Sequence, residues 1–476
     1  MDSDSLESAL LEHISRALIR RRINRNDIAV LAEAVIRATR RSLTVTEPKP
    51  ISRRLFALFA LSLPRGPNFE PLEEVSWWQD EHGTAIGVVT FNSADRTFGC
   101  QSLRRDVDHC FRSFAPASGL MSAEQALERL KQDMKCGQAP EPRRNGVPAR
   151  PHPFHLVEGR VLNEKFSLLR DMLSHRSAAL AVGEVYFALH RPDENFVGDF
   201  QTAGFEARLW ELYLFAAFRE QAIEVYQDFP SPDFRLVNHN KTVFVEAVTA
   251  NAEDRMQPAF VPRVSPPEDR TEQLIGEPAA RFAKSLRSKM LRRYWELANV
   301  RGYPFVLAIA DFHKSGSMTW SLHALQSYLY GSMVESAEEN GERRTWSVPV
   351  ERLRDKHGIP AGFFTQPDGE HLSAVIGCNA ATLGKFNRMG RLAGYKIPGQ
   401  RMKRSGLIFN HDGNRLEPIK FRYDIDDPAY ENLWPGGEAW CLEMEVYHNP
   451  KALHPIARDF FLEQLTSSSA MAKSSS

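Results

Sequence analysis

The sequence predicts a multi-domain α/β protein of the α+β kind, with a central mixed β-sheet flanked by helices. Three observations carry this. Helical and strand-like apolar patterns alternate through the middle of the chain, from GFEARLWELYLFAAF at Gly204–Phe218 to YPFVLAIADF at Tyr303–Phe312. With 476 residues, 42% hydrophobic and 25% charged, the composition is that of two to four packed domains of roughly 100–200 residues each. A stretch rich in proline, glycine and arginine, residues 137–156, separates a smaller module from the central region.

Formal net charge is zero, so any polyanion site must be a local basic patch and not a property of the whole surface. Cys100, Cys110, Cys136, Cys378 and Cys441 are odd in number and form no CxxC pair, which points to reduced thiols in a cytoplasmic protein. No apolar run approaches the ~18 residues of a membrane span; LFALFALSL at Leu55–Leu63 is half that. Asp2, Asp4, Glu7 and Glu12 stand where a signal peptide would be basic. No membrane partner is expected, and a homodimer is allowed.

In order, residues 1–48 read as a basic helical segment, its arginines clustered toward helix ends. EPKPISRRL at Glu47–Leu55 reads as a linker, and residues 50–136 as a small α/β module. Within that module a hairpin turns at His82–Gly83, and Ser122 with Gln125 forms a capping box before a helix. After the linker at 137–156, residues 157–335 form the central region with its lead-in, where AALAVGEVYFALH reads as a strand. Residues 336–465 read as a C-terminal α/β accessory region, with GKFNRMGRLAGY a polar, glycine-rich segment and IARDFFLEQL helical. TSSSAMAKSSS, residues 466–476, is low in complexity and is expected to be disordered.

The chemistry concentrates in Gly204–Asp311. Glu206 and Glu211 sit in a helix whose other positions are nearly all apolar, a costly setting for a carboxylate unless it is paired or holds a metal. Arg208, three residues before Glu211, is one such partner. Asp233 follows Pro232 at the entry to the strand DFRLV, and Glu246 interrupts the apolar row of Phe244 and Val248. An all-oxygen set of this kind suits Mg²⁺ or Mn²⁺. On the helix that follows, Arg281, Ser285, Ser288, Lys289 and Arg292 share one face and could look toward a phosphate. Lys385 and Arg388, beside Gly384, form a second candidate for phosphate contact.

The order helix, strand, strand, strand, helix, strand, with Pro232–Asp233 followed at a strand's distance by Glu246, resembles the PD-(D/E)xK nuclease superfamily. The resemblance covers about a quarter of the chain and implies an αβββαβ restriction-endonuclease-like core. It implies that Asp233 and Glu246 bind the metal with Glu211 or Glu206 as the helical acid, Glu211 having the more usual spacing. The motif lysine, two residues after the strand glutamate, is Val248 in this sequence; Lys289 or Lys284 could take its role. The expected function is Mg²⁺- or Mn²⁺-dependent hydrolysis of nucleic acid, DNA or RNA, with Arg281, Arg292, Lys385 and Arg388 as contacts. The alternative is a non-catalytic nucleic-acid-binding or scaffold protein on the same fold.

Overall fold

The computed structural model describes residues 47–63, 72–136 and 150–461, apart from 253, 257, 340, 341, 413, 414 and 435. The basic helical segment expected before residue 47, most of the 137–156 linker and the low-complexity tail lie outside the described residues.

Among the described residues, the first structural unit is an antiparallel meander in simple order, β1 (Lys49–Ile51), β2 (Leu72–Gln79), β3 (Ala85–Asn92), β4 (Thr97–Arg105) and β5 (Phe111–Leu120). The proline-containing segment read as a linker therefore supplies an edge strand, the place where a missing N–H is tolerated. It leads into α1 (Arg53–Phe59), capped by Ser52. Between β2 and β3, Gly83 takes a positive φ of 65° and the Asp80 carboxylate accepts the Thr84 and Ala85 N–H groups. Helix α2 (Ala123–Cys136) covers one face of the meander through Ala126, Leu130 and Met134. At its start the Ser122 hydroxyl accepts the Gln125 N–H, the half of the capping box that the spacing predicts, while the Gln125 side chain accepts the N–H of Met121, one residue before the expected Ser122.

The main body is a six-stranded mixed sheet. Its strands are β6 (Glu224–Tyr226), β7 (Phe234–Asn238), β8 (Lys241–Asn251), β9 (Phe305–Phe312), β12 (Ala374–Cys378) and β15 (Met444–His448). The order is β15-β12-β9-β8-β7-β6, with β8–β9 and β9–β12 parallel and the other pairs antiparallel. Two antiparallel ribbons, β10 (Ser332–Glu339) with β11 (Glu342–Pro349) and β13 (Lys403–Asp412) with β14 (Arg415–Asp424), stand apart from it. Residues assigned to a C-terminal accessory region thus complete the central sheet through β12 and β15.

Helices cover both faces. On one side lie α3 (Glu164–Asp171), α4 (Arg176–Ala188), α5 (Phe196–Gln201), α6 (Phe205–Glu220) and α10 (Leu383–Ala393); on the other lie α7 (Arg270–Ile275), α8 (Glu277–Met290) and α9 (Leu322–Tyr330). A four-residue helix, α11 (Pro428–Glu431), precedes β15. Because α6 is covered by the sheet beneath and by α4 above, it is buried almost all round, which explains its lack of a polar stripe.

Three sequence expectations give way here. AALAVGEVYFALH is not a strand but most of α4: its apolar run suits either element, while its alanines favour a helix. GKFNRMGRLA forms α10, started by the Thr382 hydroxyl accepting the Lys385 N–H and stopped by Gly394 at φ 119°. No helix is present in the described part of IARDFFLEQL.

The contact of α10 with α4 depends on Gly390, since a Cβ there would lie 2.2 Å from the Ser177 carbonyl oxygen. Gly390→Ala should therefore force the two helices apart and destabilise the chain by about 1–3 kcal/mol, the usual cost of overpacking. Chemical denaturation of the two chains side by side measures it; equal midpoints would show that this contact is not tight.

Candidate active site

Strand alternation settles which way each acid looks. Val243 and Val245 pack against the α6 side of the sheet, whereas Phe244 and Val248 join the core beneath α8. Glu246, in phase with the latter pair, is therefore brought beneath α8 and is only 4% exposed. The last β7–β8 ladder pair at this end is Phe234 with Val245. Asp233 lies one residue before this pair, at the entry to β7, and lines the same cavity as Glu246. Asp233 is held there because its Oδ2 accepts the Ala247 N–H at 2.7 Å. Helix α6 is fixed across the sheet by the buried Trp210, whose Nε1–H donates to the Ala308 carbonyl of β9 at 3.0 Å. This places Glu211 at the same end of the sheet.

Glu211, Asp233 and Glu246 all line a cavity of about 1110 Å³. Arg281, Lys284, Ser285, Ser288, Lys289 and Arg292 line it too, so the predicted cationic face of α8 and its C-terminal extension does look into it. That face is outward by default, because Ala279, Phe282, Ala283 and Leu286 take the inward positions of the helix.

Within the cavity the charges are paired unevenly. The Lys289 ammonium donates to Glu246 Oε1 at 2.5 Å, and the Tyr294 hydroxyl donates to the same oxygen at 2.7 Å. Arg208 donates to both oxygens of Glu211 at 3.1 Å, and to Asp193 and Asp199 at 2.6 and 2.7 Å. Burial, then the charges of Glu211 and Glu246, hold the Asp233 carboxyl well above the usual aspartate range, against the pull of the Ala247 N–H and Lys289. Burial likewise raises the Glu211 carboxyl, with Arg208 opposing it. Among the described residues no hydrogen bond reaches Asp233 Oδ1 or Glu246 Oε2.

Among the described residues, no group of three or more His, Cys, Asp or Glu side chains could hold a metal ion as it stands. The expected cage of three acids is therefore corrected: Glu211 is engaged by Arg208, and the open carboxylate oxygens belong to Asp233 and Glu246. That smaller donor set still fits a hard divalent cation. Magnesium commonly takes only one or two carboxylates and completes its octahedron with water and substrate phosphate.

Two further expectations change with the structure. Glu206 does not line the cavity; it is buried and satisfied by the Lys165 ammonium of α3 at 2.5 Å. Lys385 and Arg388 are not surface phosphate contacts. The Lys385 side chain is fully buried, and both donate to the buried Glu438 carboxylate at 2.9 Å.

Tyr294 and the Arg208 cluster were not singled out in the sequence. Arg208 was legible as a neighbour of Glu211, but Asp193 and Asp199 come from the loop and helix before α6, which no helical spacing connects to it. Tyr294 lies beyond the end of α8, after Arg293 in the left-handed region at φ 49°. The reversal there breaks the helical phase by which its position could have been counted.

Compared with protein-family models, with curated proteins and with solved structures, the chain gives no match.

Proposed function

We propose that this cavity hydrolyses phosphodiester bonds in nucleic acid, with DNA the first substrate to test, on a core of the restriction-endonuclease-like type. One observation carries the reading: two carboxylates, Asp233 at the entry to β7 and Glu246 within β8, share a cavity with a wall of cations. The element order α6-β6-β7-β8-α7-α8-β9 supports the reading, being the αβββαβ order that the sequence motif implies with the short helix α7 added before α8.

On this reading Asp233 Oδ1 and Glu246 Oε2 would hold Mg²⁺ or Mn²⁺. When bound, such an ion supplies an activated water and offsets charge on a phosphoryl oxygen. Lys289 takes the role that Val248 cannot: its ammonium enters from α8 to the carboxylate it must serve, although the motif position in β8 is apolar. Arg281, Lys284 and Arg292 orient the backbone phosphates by charge, and Ser285 and Ser288 keep that wall small enough for close approach. Among the described residues, none of those lining the cavity is aromatic. Base stacking of the kind used by single-strand binders is therefore not provided inside it.

Incubating the full chain with single- and double-stranded DNA and RNA, with and without Mg²⁺ or Mn²⁺, tests the proposal. Metal-dependent cleavage that is lost on chelation is expected. Salt-sensitive binding without cleavage, indifferent to the metal, would replace it with the non-catalytic reading.

A further inference from the structure

We infer that Tyr294 is a positioning residue for Glu246, a deepening that rests on the metal-site reading above. Its phenol is 3% exposed and its hydroxyl donates to Glu246 Oε1 at 2.7 Å. Lys289 donates to the same oxygen, so Oε1 receives two hydrogen bonds and Oε2 receives none among the described residues. A carboxylate held by one oxygen in this way has lost its freedom to rotate. Its second oxygen is left as the ligand.

The phenol is itself held. Arg292 donates to the Tyr294 hydroxyl at 3.3 Å, which leaves that hydroxyl's own proton directed to Glu246. The ring is fixed by packing against Phe305 of β9, with centroids 5.4 Å apart. The left-handed turn at Arg293 lets the Arg292 guanidinium reach the Tyr294 hydroxyl although the two are only two residues apart. Partners that orient a metal ligand from behind commonly change metal affinity when removed, by about 10–100-fold.

The test is Mn²⁺ binding to the full chain, followed by calorimetric titration, for the wild type, Tyr294→Phe and Glu246→Gln. Tyr294→Phe keeps the ring and removes only the donor. It should bind Mn²⁺ about 10-fold or more weakly, and its cleavage rate should recover toward that of the wild type as Mn²⁺ is raised. Glu246→Gln should bind weakly and not recover. If Tyr294→Phe melts earlier yet binds Mn²⁺ as tightly as the wild type, the residue only packs and the inference fails. If the wild type itself takes up no Mn²⁺, the metal reading fails and this inference goes with it.

Discussion

Asp233→Asn should lose nearly all metal-dependent cleavage and, at neutral pH, unfold at a higher temperature than the wild type. The two effects share one cause. Burial and the charges of Glu211 and Glu246 raise the Asp233 carboxyl well above its value in the unfolded chain. Between those two values the native state keeps a proton that the unfolded state has released, so stability falls as pH rises through that window. Above it the ionised carboxylate remains a cost to the fold. Asparagine keeps an oxygen for the Ala247 N–H but carries no charge, which relieves that cost. On the proposed reading Asp233 is a charged metal ligand, and its loss should reduce cleavage by more than ~10²-fold, exceeding the effect of removing an outer-shell partner. Mn²⁺ should raise the melting temperature of the wild type and leave that of Asp233→Asn unchanged, because a cation that binds only the native state stabilises it by mass action. Thermal melts from pH 4 to 8, with and without Mn²⁺, give all of these readings. A variant less stable than the wild type at neutral pH would show that Lys289 already compensates the charge.

The second large effect lies away from the cavity. Glu438 accepts Lys385 and Arg388, stands 3.2 Å from Arg404 and accepts the Tyr430 hydroxyl, with its side chain fully buried. Burial pushes its pKa up, but Lys385, Arg388 and Arg404 together outweigh this and bring it down to about 2. The unfolded chain binds a proton first as pH falls, so this stabilisation is complete above the ordinary glutamate range and is lost between it and about pH 2. Glu438→Gln leaves Lys385 buried without a counter-charge. The expected cost is roughly 3–5 kcal/mol, the usual result of breaking a buried pair from one side. Urea unfolding at pH 7 measures it. The variant's stability should also respond less to pH below 4.5 than the wild type's. A difference near zero would mean that the cluster relaxes and admits water.

Much of the central sheet was legible because its strands are short, apolar and bounded by turn residues. Asp233 and Glu246 stood out for the same reason, as acids in a pattern that otherwise excludes them. Chain-distant pairings were not legible. Glu206 and Glu211 look alike in the sequence, yet one meets Lys165 from α3 and the other faces the cavity with Arg208. Lys385 and Arg388 read as exposed because polar residues beside glycine usually are; their burial depends on Glu438, fifty residues or more away. The α4 segment shows the remaining ambiguity, since an unbroken apolar run has no period by which helix and strand can be told apart.

The strand order also bears on synthesis. The N-terminal meander has all its strands once β5 has left the ribosome, whereas the sheet that carries Asp233 and Glu246 gains its outer strand β15 only at Met444–His448. That is roughly 220 residues after β6, or about 10–45 s of translation at ordinary elongation rates. Within that interval β9 presents an unpaired edge from Phe312 until Ala374–Cys378 supplies β12, and β12 is then the open edge until β15 is made. The nascent chain is therefore most exposed to misassociation after the candidate site has been made but before its sheet is closed.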